Sequence, residues 1–343
     1  MTKAAELAKM GEVLTNSQIG GRRNMVINGA MQISERQTSQ GGITSSGYYT
    51  VDRFKTELSS AGTWSNSQSS TSPDGFSNSL KFDCTTADAS LSAGNYLLLS
   101  HYFEGQNLQH LKKGTSGAEK ITLSFHVRSN KTGTYIVEFY DADNSRSISK
   151  SYTISSANTF EKKTITIDGD TSGAFDNDNG QSFGIFFYLG AGSNFTSGTL
   201  NTSWNSRTLA NVAVGQVNLA DSTDNEWYIT GVQLEVGEQS TPFEHRSFGE
   251  ELNLARRYFY KPSLALRIVS TLLRPDNKRV FQVMFPVDMR TSPTADVTYD
   301  ADGSSATLDT PTVSTDMLRA NTSAISDSNR DPRFTAFKMD AEL

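Results

Sequence analysis

EWYITGVQLEVGEQSTPFEHR (residues 226–246) and the SFGEELNLARRYFY that follows it (247–260) decide how this chain is divided. The first piece reads as a strand and its exit, the second as a capped helix. Within the strand, Trp227 and Ile229 share one parity, whereas Val232, Leu234 and Val236 share the other. One extra residue at Gly231 brings both sets to the same face, as a glycine bulge does. Ser247 with Glu250 three positions on forms a capping box, whose side chains satisfy amide donors left open at a helix start. Leu252, Ala255 and Phe259 then recur at helical spacing, and Pro262 ends the run. The stretch therefore closes one β-rich body and leads into a smaller one, with the helix as spacer or packing strut between them.

Strand signals run upstream of it. ITLSFHV alternates cleanly, with Ile121, Leu123, Phe125 and Val127 on one face and Thr122, Ser124 and His126 on the other. VDRFKTEL, SLKFDCT, YLLLSHYF, TYIVEFY, SISKSYTI, KKTITI and FGIFFYL read as further strands. Strands begin at Asn24, where NMVINGAMQI carries an Asn28-Gly29 turn, and SPDG before SLKFDCT is a turn because Pro fixes φ and Gly accepts a positive one. About ten strands with polar turns predict an all-β fold, an antiparallel two-sheet jelly-roll sandwich. Downstream of Pro262, LALRIVSTLL, RVFQVMFPV, ADVTY, SATLD and FTAFKM are the candidate strands of a second body. No fixed-period repeat is present, which disfavours a solenoid or β-helix.

Composition narrows the chemistry. A net charge of −6 over 343 residues with no basic stripe repels a phosphate backbone, so nucleic acid is not an expected partner. Cys84 alone forms no intrachain disulfide and reads as a small buried side chain. No apolar run approaches the roughly 20 residues of a membrane span, and Lys3, Glu6, Lys9 and Glu12 break up any leader-like segment. A protein made and kept soluble in a cytoplasm is expected.

No residue spacing in the chain marks a catalytic or metal site. His101, His110, His126 and His245 are scattered without ligand spacing and read as structural. DNDNG (176–180) and DADNS (141–145) invite a calcium reading, yet the twelfth place from Asp176 is Phe187 where an EF-hand needs Glu. They read as turns, with structural calcium the lesser alternative and no cofactor expected. Among the acids, Asp52, Glu57, Glu104 and Glu138 fall on strands or turns, and no two are brought together by spacing as a glycosidase pair requires. No enzyme is expected.

Three separated segments resemble bacteriophage tail-fibre and related virion proteins. They are GRRNMVINGAMQIS leading to YTVDRF, then LNTSWNSRTLANVAVGQVNLADST, then ITGVQLEVG with TPFEHRS, GEEL and RRYFY. They bracket about two thirds of the chain, and none is a catalytic signature. The strand order also resembles that of jelly-roll carbohydrate-binding modules, with NYLLLSHYFEGQNLQHLKKG leading into ITLSFHV and a closing strand paired near the first. Where many such modules carry calcium-binding Asp residues, this chain has Gln233.

The resemblance implies a virion attachment segment over 1–21, a carbohydrate-binding-module-like sandwich over 22–246, a linker helix over 247–262 and a C-terminal β domain for oligomerisation or receptor contact over 263–343. Ala4, Leu7, Ala8 and Leu14, at roughly helical intervals, form the stripe expected to dock to other virion tail or adaptor proteins; a segment this short is marginal as a lone helix, so a frayed terminus is the plain reading. A fibre implies a homotrimer in the virion that attaches to a host surface glycan or receptor without catalysis, with no membrane insertion. The alternatives are a structural decoration or connector protein and, less favoured, a polysaccharide depolymerase. Sugars stack on aromatic faces, so Trp64 and Trp204, both in polar surroundings, are the first glycan-binding candidates, and Tyr48 and Tyr49 beside a Gly-Ser loop the second. The plain alternative for all four is burial. Trp227 is assigned to the core.

Overall fold

The computed structural model describes Lys3 and residues 23–262, 280–300, 307–321, 323 and 333–343, in two compact units, Met1–Arg246 and Ser247–Leu343. The stripe of Ala4, Leu7, Ala8 and Leu14 and the LALRIVSTLL segment lie outside the described residues.

In the first unit alternating strands dominate: β1 (Ser39–Gly47), β2 (Lys55–Ser69), β3 (Ser79–Thr86), β4 (Tyr96–Glu104), β5 (Ile121–Ser129), β6 (Gly133–Asp141), β7 (Arg146–Ile154), β8 (Glu161–Ile167), β9 (Gln181–Ala191), β10 (Asn205–Ser206) and β11 (Glu226–Val236). A one-turn helix, α1 (Ser193–Thr196), follows β9. Every pairing is antiparallel, in the order β10-β7-β6-β9-β4-β2-β3-β11-β5-β8, with β1 also on β2. β2 belongs to both layers of the sandwich: residues 55–59 pair with β4, and residues 63–69 pair with β3. Between the halves Gly62 has φ +80, and a Cβ there would sit 2.4 Å from the Thr86 carbonyl oxygen, so this corner requires glycine. The two layers meet through rings: Phe125 of β5 packs 5.1 Å from both Tyr152 of β7 and Phe187 of β9, and Phe187 reaches Trp227 of β11 at 6.4 Å. At roughly 25 cal/mol per Å² and 150–250 Å² per ring, each such aromatic contributes on the order of 4–6 kcal/mol before conformational entropy is set against it. The result is the antiparallel jelly-roll-type sandwich that the alternation predicts.

The bulge in β11 is present. Gly231 has φ +61, the register against β5 shifts between Thr230 and Gln233, and Trp227, Ile229, Val232 and Leu234 are all buried in one core. The segment 24–33, expected as strand, is not one. Asn28 and Met31 take left-handed backbone (φ 63 and 57), which interrupts any extended run. The segment instead caps the edge of β11 that β3 leaves open: Met25 N–H donates to Leu234 O, Val232 N–H to Gly29 O, and the Asn24 side chain bridges Val232 O and Leu234 N. Glu244 accepts from the Arg23 and Asn24 amides, and Arg246 donates to the Val26 and Asn24 carbonyls. Residues 23–26 and 244–246, joined by contacts 220 and 221 positions apart in sequence, therefore clasp one another.

In the second unit, α2 (Phe248–Arg256) starts at Ser247, whose Oγ accepts from Glu250 N at 3.3 Å. The helix ends three residues before Phe259. Phe259 belongs instead to β12 (Phe259–Tyr260), paired with β17 (Arg333–Asp340), so helix and exit are part of this unit. β13 (Val280–Met284), β14 (Thr294–Asp300), β15 (Thr312–Val313) and β16 (Met317–Asn321) complete two three-stranded sheets, β12-β17-β14 and β13-β16-β15. Their core holds Phe281, Phe285, Leu318, Phe334, Phe337 and Met339. SATLD forms no strand among the described residues, contributing only a single bridge at Leu308.

Candidate functional site

The layer formed by β2, β4, β9 and β6 carries rings on both of its faces. In β9 the inward parity is Phe183, Ile185, Phe187 and Leu189; the outward parity holds Phe186 and Tyr188, flanked by Gly184 and Gly190. β4 matches it outward with Tyr96, Leu98, Ser100 and Tyr102. Registration aligns them: Glu57 lies opposite Leu98 and Leu98 opposite Tyr188, while Lys55 lies opposite Ser100, Ser100 opposite Phe186 and Phe186 opposite Glu138. Gly184 leaves the space that the Phe186 and Tyr102 rings occupy, since a Cβ there would come 2.8 Å from one and 3.2 Å from the other.

A wall rises over this floor from the segment after β9. Phe195 of α1 packs edge-on to Tyr96 with centroids 5.4 Å apart, and Arg207 and Leu209 follow after β10. Glu57, Tyr96, Leu98, Tyr102, Phe186, Tyr188, Phe195, Arg207 and Leu209 enclose a groove of about 180 Å³. That is below the roughly 300–1,000 Å³ of pockets that engulf a drug-sized ligand, so an occupant would be gripped along one side. Leu209 at the rim is 47% exposed, a large apolar side chain with no structural reason to face water.

Two charge pairs stiffen the groove. The Arg207 guanidinium lies 4.6 Å from the Tyr140 ring centre and donates to Glu138 through Nε (2.6 Å) and Nη2 (2.9 Å), and Tyr188 OH donates to the same carboxylate at 3.0 Å. Glu138 is fully buried. Burial works against the Arg207 charge, but the hydrogen bonds and charge of Glu138 outweigh it and hold the guanidinium above its usual pKa. At the other end Glu57 Oε1 accepts from Tyr102 OH (2.5 Å) and Ser100 Oγ (3.3 Å) and lies 3.1 Å from Lys55 Nζ. Burial, and then the Glu57 charge, push the Tyr102 phenol well above its ordinary pKa, so it stays a neutral donor.

Of the four aromatic residues that the sequence singles out, Trp64, Trp204 and Tyr49 fall elsewhere. Trp64 is wholly buried between the layers, its Nε1 donating to Ala61 O at 2.7 Å and its ring against Phe82, so it presents no face to a ligand. Trp64 shares the inward parity of Thr56 and Leu58 earlier in β2. Trp204 is half-buried; its Nε1 donates to Asp168 O, and its ring covers Lys113 at 5.8 Å. Tyr49 packs on the core with its hydroxyl on Ser45 O. Tyr48 alone adjoins the groove, because Lys55 sits over both its ring (5.9 Å) and that of Tyr102 (5.4 Å). The groove residues of β4 and β9 lie in strands with no polar face to set them apart, and Phe195, Arg207 and Leu209 lie in the connection that follows β9. The available signal was apolar character at both parities of YLLLSHYF and FGIFFYL, which a sandwich strand with one wet face does not need.

The acidic turns are engaged within the chain. Asp141 and Asp170 hold the buried Lys113 ammonium at 2.5 and 3.1 Å, and Lys113 also donates to Ser172 O and Gly173 O. Asp143 accepts from Asp176 N, and Asp178 from Gly180 N. Asp52 accepts from the Glu35 amide, and Glu104 from Gln106, away from the groove. Gln233 bonds Glu235, Thr241 and the Glu244 amide.

No protein-family model matches the chain, and no curated protein matches its sequence. Solved structures similar to it include the enzymatically active domain of tailspike protein 4 of bacteriophage CBA120, at 14% identity and a TM-score of 0.33, covering 62% of this chain and 21% of that one. The chain thus spans about a fifth of that tailspike protein's length. A putative sugar-binding protein from Bacteroides thetaiotaomicron is similar at 10% identity and a TM-score of 0.33 over 63% of this chain and all of its own. A family 11 carbohydrate-binding module of a Clostridium thermocellum cellulosomal cellulase is similar at 10% and 0.30, over 59% of this chain and 98% of its own. Identity and TM-score are low in each, and the groove's own residues carry the functional reading.

Proposed function

We propose that the first unit binds a glycan, or a receptor that displays one, along the groove between Glu57 and Leu209, and leaves it chemically unchanged. The observation that carries this is a groove floored and walled by Tyr96, Leu98, Tyr102, Phe186, Tyr188, Phe195 and Leu209, interrupted by a few fixed polar groups. Rings for sugar faces with a few oriented polar atoms are what a glycan site requires. The absence of catalysis is part of the proposal. Glu57 and Glu138 stand on strands separated by β4 and β9, roughly 14 Å apart at about 4.8 Å per strand spacing, whereas glycosidase carboxylates stand about 5–10 Å apart.

The wider role we propose is that of a homotrimeric bacteriophage fibre protein in the virion, docked by its amino-terminal residues and attaching to the host surface. The segments resembling virion proteins support it, as does the small β unit with Met284 and Phe248 exposed at 57% and 59%, surface that contact between copies would cover. Sedimentation of the full chain tests the trimer. Adsorption to host cells, with and without Tyr96→Ala and Phe195→Ala, tests the groove: the reading requires that both substitutions abolish adsorption or glycan binding while the protein remains folded.

A further inference from the structure

We infer that the groove takes an uncharged stretch of glycan, and that Glu57 reads it by accepting ring hydroxyls on its free carboxylate oxygen, so that uronates, sialic acids and other anionic sugars are rejected. This rests on the glycan-binding reading of the same groove and specifies its ligand class.

Three residues that line the groove each keep a polar atom with no hydrogen bond to any described residue: Glu57 Oε2, Tyr96 OH and Arg207 Nη1. Glu57 spends only Oε1 on Tyr102, Ser100 and Lys55. Arg207 spends Nε and Nη2 on Glu138. The open set is thus one carboxylate acceptor, one guanidinium donor and one phenol that does either. A hydroxyl both donates and accepts, so it satisfies each of these; a sugar carboxylate only accepts. Tyr96 lies diagonal to Glu57 across β2 and β4, within reach of one ring, and the Glu57 charge is felt at its phenol.

Charge balance points the same way. Lys55 offsets Glu57, and Arg207 offsets Glu138, so no cation in the groove is in surplus. An anion accepting from Arg207 Nη1 would meet a cation whose charge the fully buried Glu138 already offsets, and would lie in the same groove as the Glu57 carboxylate, so no net positive charge draws it in. The exposed Leu209 and the Phe195 edge supply the apolar contact that the sugar's C–H face needs.

The test is affinity electrophoresis and calorimetry of the full chain against a neutral galactan, a neutral β-glucan, and the matched pair of polygalacturonate and its carboxyl-reduced form. The wild type is expected to bind at least one neutral polymer and to prefer the reduced member of the pair by tenfold or more. Glu57→Gln should weaken neutral binding by about tenfold to a hundredfold, the value of a hydrogen bond to a charged group, and bring the preference within the pair close to one. Glu57→Asp, which keeps the charge but withdraws the oxygen, should lose neutral binding and still reject polygalacturonate. Anionic polymer bound as tightly as neutral, or neutral binding unchanged in Glu57→Gln while Tyr96→Ala abolishes it, overturns the hydroxyl reading and leaves the groove standing. Binding that survives Tyr96→Ala, or no binding of any glycan by folded protein, overturns the groove itself.

Discussion

Replacing Arg207 by Met isolates the most consequential charge in the groove. Glu138 is fully buried, and its two guanidinium bonds, at 2.6 and 2.9 Å, are what make its charge tolerable there. Removing one partner of a buried pair costs about 3–5 kcal/mol. The Arg207 side chain is 23% exposed, and Tyr188 OH still donates to Glu138, so the lower end, about 3 kcal/mol, is expected. In Arg207→Met/Glu138→Gln the buried charge is gone and the Tyr188 bond keeps an acceptor; the double variant should lose only about 1 kcal/mol, less than the single one. Trp64, Trp204 and Trp227 all lie in the first unit, so tryptophan fluorescence in a urea titration reports that unit alone. A single-variant loss under about 1 kcal/mol, or a double variant that loses as much as the single one or more, refutes the reasoning.

Lys113→Met leaves Asp141 and Asp170 without the ammonium between them and should cost about 3–5 kcal/mol in the same titration. Burial opposes the Asp170 charge, but Arg146 and Lys113 outweigh it and hold its pKa low; stability from this group is therefore present above about pH 4 and lost as the pH falls below it, an acid limb that should flatten in the variant. Gly231→Ala puts a methyl 2.6 Å from the Phe76 ring in left-handed backbone and should cost roughly 2 kcal/mol or more, with a drop in melting temperature as the readout. His101 lies between Phe54 and Phe103, and burial, then Arg53, keeps it neutral far below the usual range. Since the unfolded histidine gains a proton below about pH 6.5, stability should fall by up to about 1.4 kcal/mol per unit as the pH drops under that, and His101→Leu should remove that slope.

The strands legible in the sequence were those whose alternation reflects a single buried face or whose bulge residue is glycine. ITLSFHV and ITGVQLEV show why: their periodicity is a local property, and the fold preserves it. NMVINGAMQI failed because its apolar residues face the core from a chain of turns. Met31 and Val26 are buried without being in a strand, and that depends on left-handed residues whose cost the β11 edge offsets. The groove was not legible for a different reason. Polar neighbours do not mark an exposed ring: Trp64 sits among Ser, Thr and Asn yet is wholly buried, because Thr63 and Ser65 take the opposite parity and Asn66, on Trp64's own parity, is buried with its amide on Thr56 Oγ1. Tyr96 and Phe186 read only as strand residues, and the pairing of β4 with β9 and the return of residues 195–209 over them creates the site.

Hydroxyl-radical footprinting of the full chain, with and without saturating glycan, tests the glycan-site account most directly. Leu209, Phe248 and Met284 are the large apolar side chains exposed among the described residues, which supplies an internal control. Protection of Leu209, Tyr96 and Phe195 with Phe248 and Met284 unchanged is the expected result. Protection confined to Phe248 and Met284, or oxidation of Leu209 that glycan leaves untouched, would contradict the account.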